Sequence, residues 1–305
     1  MNTALLILFH LALLLAMPPL LPGIINKIKA RAAGRKGPPV LQLYYDLFKL
    51  ARKQVVLSQT TTWIFIAAPV VTLAALLIAG LMVPFGSFPA PLSFTGDLIL
   101  FAYLLALGRF FTTSAALDTG SAFEGMGAAR EVTFACLSEP ALFFALLVLA
   151  KMSGALVLAD LLHAPLTASW QTAAAPMVLV AVGLFIILLA ENCRIPVDDP
   201  NTHLELTMIH EVMVLDHSGP LLGLILYGAS IKLFILSALF LHIAAPFQAA
   251  TPLGNALLFL IEIPLTAVAV GLVESVMARL QMRHVPYLLI AAILFCGFGF
   301  ILLVR

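Results

Sequence analysis

Apolar runs about as long as a bilayer is thick recur along the whole chain. Crossing a hydrocarbon layer of ~30 Å takes roughly 20 residues of helix, and apolar windows of that order fall at 3–21, 63–84, 97–117, 138–160, 173–191, 219–241, 254–278 and 285–304. Inside a bilayer no water satisfies open backbone groups, so a spanning segment is either a helix or part of a closed barrel. These runs are too long for barrel strands. The pattern predicts an all-α, polytopic membrane protein of about eight transmembrane helices, organised as a single integral membrane domain over 1–305. After the first window the pattern changes: Leu43, Tyr44, Leu47, Leu50 and Ala51 recur at helical spacing, while Asp46, Lys49, Arg52 and Lys53 take the other face. This predicts an interfacial amphipathic helix on the membrane surface. It reads either as an anchor to anionic headgroups or as one wall of a ligand or partner site.

Composition supports the membrane reading and narrows the chemistry. Hydrophobic residues are 62% and charged residues 10% of the chain, against ~45–50% and ~25% in soluble domains. A net charge of +1, with no basic stripe interleaved with aromatics, argues against a nucleic-acid partner. Cys136, Cys193 and Cys296 lie far apart with no CxxC pair, so neither iron–sulfur ligation nor a disulfide framework is expected, and they read as buried apolar fillers. The stretch Met1 to Leu21 has the apolar core of a signal peptide but no Lys or Arg ahead of it. Pro18 and Pro19 predict a retained first span that ends in a break.

Charge is distributed unevenly among the loops. Twelve of the sixteen Lys and Arg residues lie in odd-numbered loops, eight of them between the first two windows and the others at Arg130, Arg194, Arg279 and Arg283. The positive-inside rule then makes the odd loops cytoplasmic and puts both termini outside. The acids follow the bases: ten of fifteen (Asp118, Glu124, Glu131, Glu139, Glu191, Asp198, Asp199, Glu205, Glu211, Asp216) lie in or border the third and fifth loops. Charge also continues inward, with Arg109, Glu139, Glu191, Lys232, Glu262 and Glu274 inside or at the ends of spans. A mid-span Asp, Lys or Arg costs roughly 2.5–3.5 kcal/mol to insert, so such residues pair, face the bundle interior or line an ion route. For any one of them, a static buried pair such as Arg109 with a nearby carboxylate is the plainer alternative.

The fifth loop, Glu191 to Glu205, is the most structured. Pro196 and Pro200 stiffen it, and Thr202 with Glu205 fits a capping box, so Glu205 has both a structural and a functional role open to it. On a helix over 201–213, His203 and His210 stand ~10 Å apart along the axis, too far to share one tetrahedral ion. No metal site is expected from that spacing. Nucleophile elbow, phosphate-loop and HExxH patterns do not occur. The glycine-rich stretch Asp118 to Gly127 lacks the strand of a dinucleotide fingerprint and predicts a tight connection near the membrane surface.

With these residues in view, the chain resembles a known family: the eight-span membrane subunit shared by respiratory complex I, where it is the H subunit, and by energy-converting hydrogenases. The likeness is strongest to the membrane subunit of formate hydrogenlyase and hydrogenase-4. It is carried in order by Arg35-Lys-Gly-Pro38 with Asp46-Leu-Phe-Lys-Leu50, Arg109-Phe-Phe, Leu117-Asp-Thr-Gly-Ser-Ala-Phe, Gly127-Ala-Ala-Arg-Glu131, Glu139-Pro140, Glu191 to Leu206, Ser218-Gly219 and Glu274-Ser-Val-Met-Ala-Arg-Leu280. The resemblance implies a non-catalytic subunit with no redox centre of its own, in a bacterial or archaeal cytoplasmic membrane. It implies coupling or ion-pathway roles for Arg130, Glu131 and Glu139 of the third-loop cluster and for Glu191, Arg194, Asp198 and Glu205 of the fifth. Asp216 stands where the family has Glu. Arg109, Lys232 and Glu274 complete the candidate set.

Nickel–iron and iron–sulfur centres are then expected in partner subunits: hydrogenase-like large and small subunits, an iron–sulfur subunit and antiporter-like membrane subunits. Three functional readings follow: coupling subunit of a formate hydrogenlyase-like (group 4) hydrogenase, quinone-chamber H subunit of a complex I-type NADH dehydrogenase, or stand-alone secondary transporter. The sequence also departs from the family, with Asn201 and His203 in place of glutamates and Asp216-His217 in place of Glu-Tyr. The full set of loop carboxylates is therefore absent.

Overall fold

The computed structural model describes residues 3–86, 88–163, 170–171, 173–199, 208–247 and 251–304. Its helices are α1 (Thr3–Ala16), α2 (Leu20–Ala32), α3 (Gln42–Ala51), α4 (Trp63–Met82), α5 (Asp97–Asp118), α6 (Ala122–Ser153), α7 (Leu158–His163), α8 (Ala174–Glu191), α9 (Gly219–Ala244), α10 (Pro252–Val276) and α11 (Val285–Val304). Among the described residues the β-structure is one isolated bridge, Phe85 to Phe88. Seven helices are long and apolar enough to cross a bilayer on their own, and the bent pair α1–α2 makes up to eight. The protein is an all-α polytopic membrane protein, as the apolar windows predict.

The break expected at Pro18 and Pro19 is a 42° bend between α1 and α2. A helix end inside a membrane leaves carbonyls without intrahelical partners, and no water replaces them. Here two tyrosines from remote segments do so: Tyr227 of α9 donates to the Leu15 carbonyl at 2.8 Å, and Tyr44 of α3 donates to the Ala16 carbonyl. Helix α2 then runs on to Ala32, eleven residues beyond the predicted end of the first span.

The fourth span also departs from its window. Helix α6 starts at Ala122 rather than near 138 and ends at Ser153, where Gly154 turns left-handed. Its 32 residues reach about 48 Å at 1.5 Å per residue, well beyond a ~30 Å layer. The predicted third loop is therefore mostly helix, and only the short turn around Thr119 to Ser121 connects α5 to α6. On the other side of the break, Asp97 fastens the start of α5 to α7 by accepting the Leu158 N–H at 2.6 Å.

Helix α9 sits centrally, packing against α1, α2, α3, α4, α7, α8 and α10. Its inward face supplies Ile231, Phe234, Ile235 and Ala238 to the main apolar core. Helix α3 lies against α9 and α2, with Leu43, Tyr44, Leu47 and Leu50 half-buried as the pattern predicts, while Ala51, expected on the same face, is exposed and Asp46, expected on the other, is half-buried. Tyr45 and Phe48, however, are exposed, so its outer face is aromatic as well as charged. Helix α11 packs on α6 and α8 through small residues, as helices do where lipid supplies no hydrophobic drive. A Cβ at Gly183 would run into the Cys296 Sγ and lie 3.3 Å from the Ala292 carbonyl. Gly183→Leu is therefore expected to cost about 1–3 kcal/mol by overpacking, with Cys296→Ala recovering part of the loss. Thermal unfolding of the full chain in detergent measures both.

Candidate functional site

The inward charges converge on one guanidinium. Arg109 lies midway along α5, 9% exposed in its side chain. Its Nη2 reaches the Glu191 carboxylate at 2.7 Å, its Nη1 donates to Glu139, and its Nε stands 3.3 Å from Glu131. Glu191 closes α8 and is buried. It also takes Lys232 Nζ from the middle of α9 at 2.7 Å and the Ser138 hydroxyl at 2.5 Å. Four helices thus place three carboxylates around two cations. On α6, Glu131, Ser138 and Glu139 share this side of the helix because seven and eight residues are close to two turns. An isolated charge would be expelled from such a place, and a planar guanidinium with five donors is suited to joining several carboxylates.

A second cluster holds the turn after α8. Asp198 accepts Arg279 Nη2 at 2.7 Å and the Ile209 N–H at 2.9 Å. Glu274, its side chain fully buried on α10, faces Lys29 Nζ at 2.9 Å and Arg194 Nη1 at 3.6 Å. Lys29 also reaches Asp199 at 3.4 Å. A cavity of about 210 Å³ joins the two clusters, with Glu191 and Lys232 on one wall and Arg194 and Asp198 on another. Helices α2 and α3 line its far side through Pro22, Asn26 and Leu43.

The structure separates some residues that the sequence grouped. Arg130 does not join Glu139 in the Arg109 cluster. One residue along a helix is a turn of about 100°, so Arg130 points instead to the Met208 carbonyl at 2.7 Å, anchoring the 208–214 segment. The Asp216 side chain is exposed, and its backbone N–H donates to the buried Glu124 of α6 at 3.1 Å. Glu205 and its capping box with Thr202 lie outside the described residues, as do Asn201 and His203. Over the described part of the predicted 201–213 helix, the chain forms a 3₁₀ turn, Glu211–Val214, rather than an α-helix.

Lys29, Ser138, Asp199 and Arg279 are site residues that sequence reasoning did not single out. Lys29 carried a readable signal. It follows the fully buried Leu21 and Ile25 at four-residue steps on α2 and so shares their face.

Two neighbouring groups titrate unusually. Burial pushes the Cys193 thiol well above its ordinary range, and the nearby Glu131 and Asp198 charges add to this, so the free thiol stays protonated. His217, just before α9, stacks on Phe65 with ring centroids 3.9 Å apart, and burial lowers its pKa below the usual imidazole value. A depressed histidine favours the neutral ring in the folded state, so its contribution is full above about pH 6.5 and is lost as acidification charges the ring. The difference in unfolding midpoint between about pH 8 and about pH 5 is expected to shrink in His217→Phe. For the Arg109 cluster, Arg109→Leu leaves the buried Glu191 to Lys232 alone and takes the cation from the half-buried Glu131 and from Glu139, whose side chain is 42% exposed. Because Lys232 still compensates Glu191, the expected cost is up to about 3 kcal/mol, the low end for a broken buried pair. Arg109→Leu combined with Glu191→Leu is expected to cost less than the two single changes summed, which a double-mutant cycle on detergent unfolding measures.

Comparison with known proteins identifies the relatives of the whole chain. The family described as NADH dehydrogenase matches residues 3–305. The chain is 33% identical over 296 residues to hydrogenase-4 component C of Escherichia coli (strain K12), covering 93% of this chain and 92% of that one. It is likewise 33% identical over 297 residues to formate hydrogenlyase subunit 4 of the same strain, covering 94% and 92%. The H subunit of the NADH-quinone oxidoreductase of Bordetella avium (strain 197N) is 30% identical over 217 residues, 68% of this chain and 59% of that one. Among solved structures, a chain of the membrane-bound sulfane sulfur reductase, an archaeal respiratory membrane complex, superposes with a TM-score of 0.84 at 21% identity over 99% of this chain and 100% of that one, which shows the shared fold. By a match that runs the length of the molecule, the chain belongs to the NADH dehydrogenase family.

Proposed function

We propose that the chain is the membrane anchor and coupling subunit of an energy-converting, formate hydrogenlyase-like hydrogenase complex in a bacterial or archaeal cytoplasmic membrane. The observation that carries this is the sharing of Glu191 between Arg109, Lys232 and Ser138, with Glu139 on the same guanidinium. A carboxylate held by two cations inside a bundle has few stable alternatives, so a small displacement of either cation changes where a proton is best held. In this reading the odd loops are cytoplasmic and seat a peripheral arm whose large, small and iron–sulfur subunits carry the nickel–iron and iron–sulfur centres. A redox change there alters the field at the turn after α8, and the α5, α6, α8 and α9 cluster passes the shift on to antiporter-like membrane subunits. Moving one charge against ~100 mV takes roughly 2.3 kcal/mol, within reach of a redox step.

The competing quinone-chamber reading would use the cavity between the clusters. At about 210 Å³ it falls below the roughly 300–1,000 Å³ of small-molecule sites, which favours a route for protons and water over a seat for a quinone ring.

Glu139→Gln and Glu191→Gln, introduced into the whole complex in membrane vesicles, are expected to lower ions moved per electron pair severalfold while leaving the peripheral arm bound. Vesicles that translocate at the wild-type ratio would refute the coupling role. Quinone-dependent turnover in place of hydrogen evolution would favour the H-subunit reading.

A further inference from the structure

Beside the cluster lies a group of side chains of which, among the described residues, only Glu131 is engaged in ion pairing, with Arg109. Glu131 of α6, Cys193 in the turn after α8 and His210 at the head of the 3₁₀ turn each offer a ligand atom, and all three atoms lie within 4.8 Å of one another. Each has capacity to spare. His210 Nδ1 is buried with no hydrogen-bond partner. Glu131 faces Arg109 Nε at 3.3 Å without a hydrogen bond, since the guanidinium is aligned to Glu139 and Glu191. Cys193 is a free, buried thiol on a residue with φ of 49°, which is uncommon for a residue with a Cβ. Sequence spacing weighed His210 only against His203 along a single helix. The fold instead brings it to Cys193, earlier in the same connection, and to Glu131 from α6, far away in the chain.

We propose that Glu131, Cys193 and His210 form a binding site for a borderline-soft divalent cation, zinc being the best match, with a fourth position open toward the cavity. One sulfur, one imidazole nitrogen and one carboxylate oxygen are donors of the kind zinc takes, whereas magnesium and calcium require oxygen sets. Zinc bonds of about 2.0–2.3 Å in a tetrahedron put donor atoms roughly 3.3–3.8 Å apart, so closure asks for side-chain movements of about 1 Å. On binding, the thiol S–H bond breaks, a sulfur–metal bond forms and the proton leaves to water. His210 and Cys193 both line the 210 Å³ cavity, which gives the ion an entry path and room for a water ligand. Arg109 and Lys232 lie close by, and their charge is already balanced by Glu139 and Glu191. A bound ion would fasten α6, the turn after α8 and the 208–214 segment into one unit.

The test uses the purified full chain in detergent, stripped with a chelator and titrated with Zn²⁺ alone. Stoichiometry comes from mass spectrometry, the ligand shell from zinc-edge X-ray absorption, and folding is checked by helical circular dichroism and size-exclusion elution. The expected result is one tightly held zinc per chain with a single sulfur in its shell. Cys193→Ser, nearly isosteric, removes the sulfur and weakens binding by at least the roughly 10- to 100-fold that loss of an outer-shell partner alone costs, and His210→Asn weakens it comparably. Cys136→Ser, which alters an exposed thiol, changes neither readout. Any one of three results would overturn the site: a sulfur signal that survives Cys193→Ser, a wild-type shell of oxygen and nitrogen only, or equal affinity in wild type and the folded Cys193→Ser/His210→Asn double variant.

Discussion

The bundle is organised around a guanidinium that cannot be left alone. Arg109 sits mid-helix where a lone cation would be expelled, and its neutralisation requires carboxylates from both α6 and α8. Lys232 then requires α9 to approach the same Glu191. The relative placement of four helices is thus set by one charge balance as much as by apolar packing. Ion pairs of this kind are weak evidence for stability, because desolvation offsets much of the attraction. They are directional, however, and fix which face of each helix looks inward.

The turn after α8 extends that constraint outward. Asp198 and Glu274 tie it to α2, α10 and the segment after α10; the Ile209 N–H ties the 208–214 segment to Asp198 in that turn, and Arg130 brings the same segment against α6. Gly127 makes the last contact possible: a Cβ there would press on Met213 and the Ile209 carbonyl at 2.9 Å. Short elements therefore connect this surface to the Arg109 cluster.

Much of this was legible in the sequence, and the failures have physical causes. Long apolar windows identify spanning helices because the bilayer sets their length. Arg109, Glu139, Glu191 and Lys232 stand out because charge inside such windows is costly. Two boundaries were missed, at the start of α6 and the end of α2, because those turns are amphipathic: Glu124, Arg130 and Glu131 look like loop residues by hydropathy yet lie on a helix. Arg130 and Glu131 could not be separated by composition, since only helical phase decides that one meets a backbone carbonyl and the other a guanidinium. Asp199 and Arg279 were visible only as loop charges, because nothing in a loop's sequence says that they meet Lys29 and Asp198. The role of His217 becomes intelligible once its ring is found stacked on Phe65, since that contact depends on a fold no sequence pattern displays.

The bend between α1 and α2 bears on how the chain is assembled. Its open carbonyls at Leu15 and Ala16 receive their donors from Tyr44 and from Tyr227, and the latter is synthesised 212 residues after the carbonyl it serves. Of the two carbonyls at the elbow of this bent span, the Ala16 carbonyl can meet its donor as soon as α3 has formed, whereas the Leu15 carbonyl has no tyrosine until α9 is in place. The elbow near the start of the chain thus takes its final set of hydrogen bonds only once a helix encoded 212 residues later has packed against it.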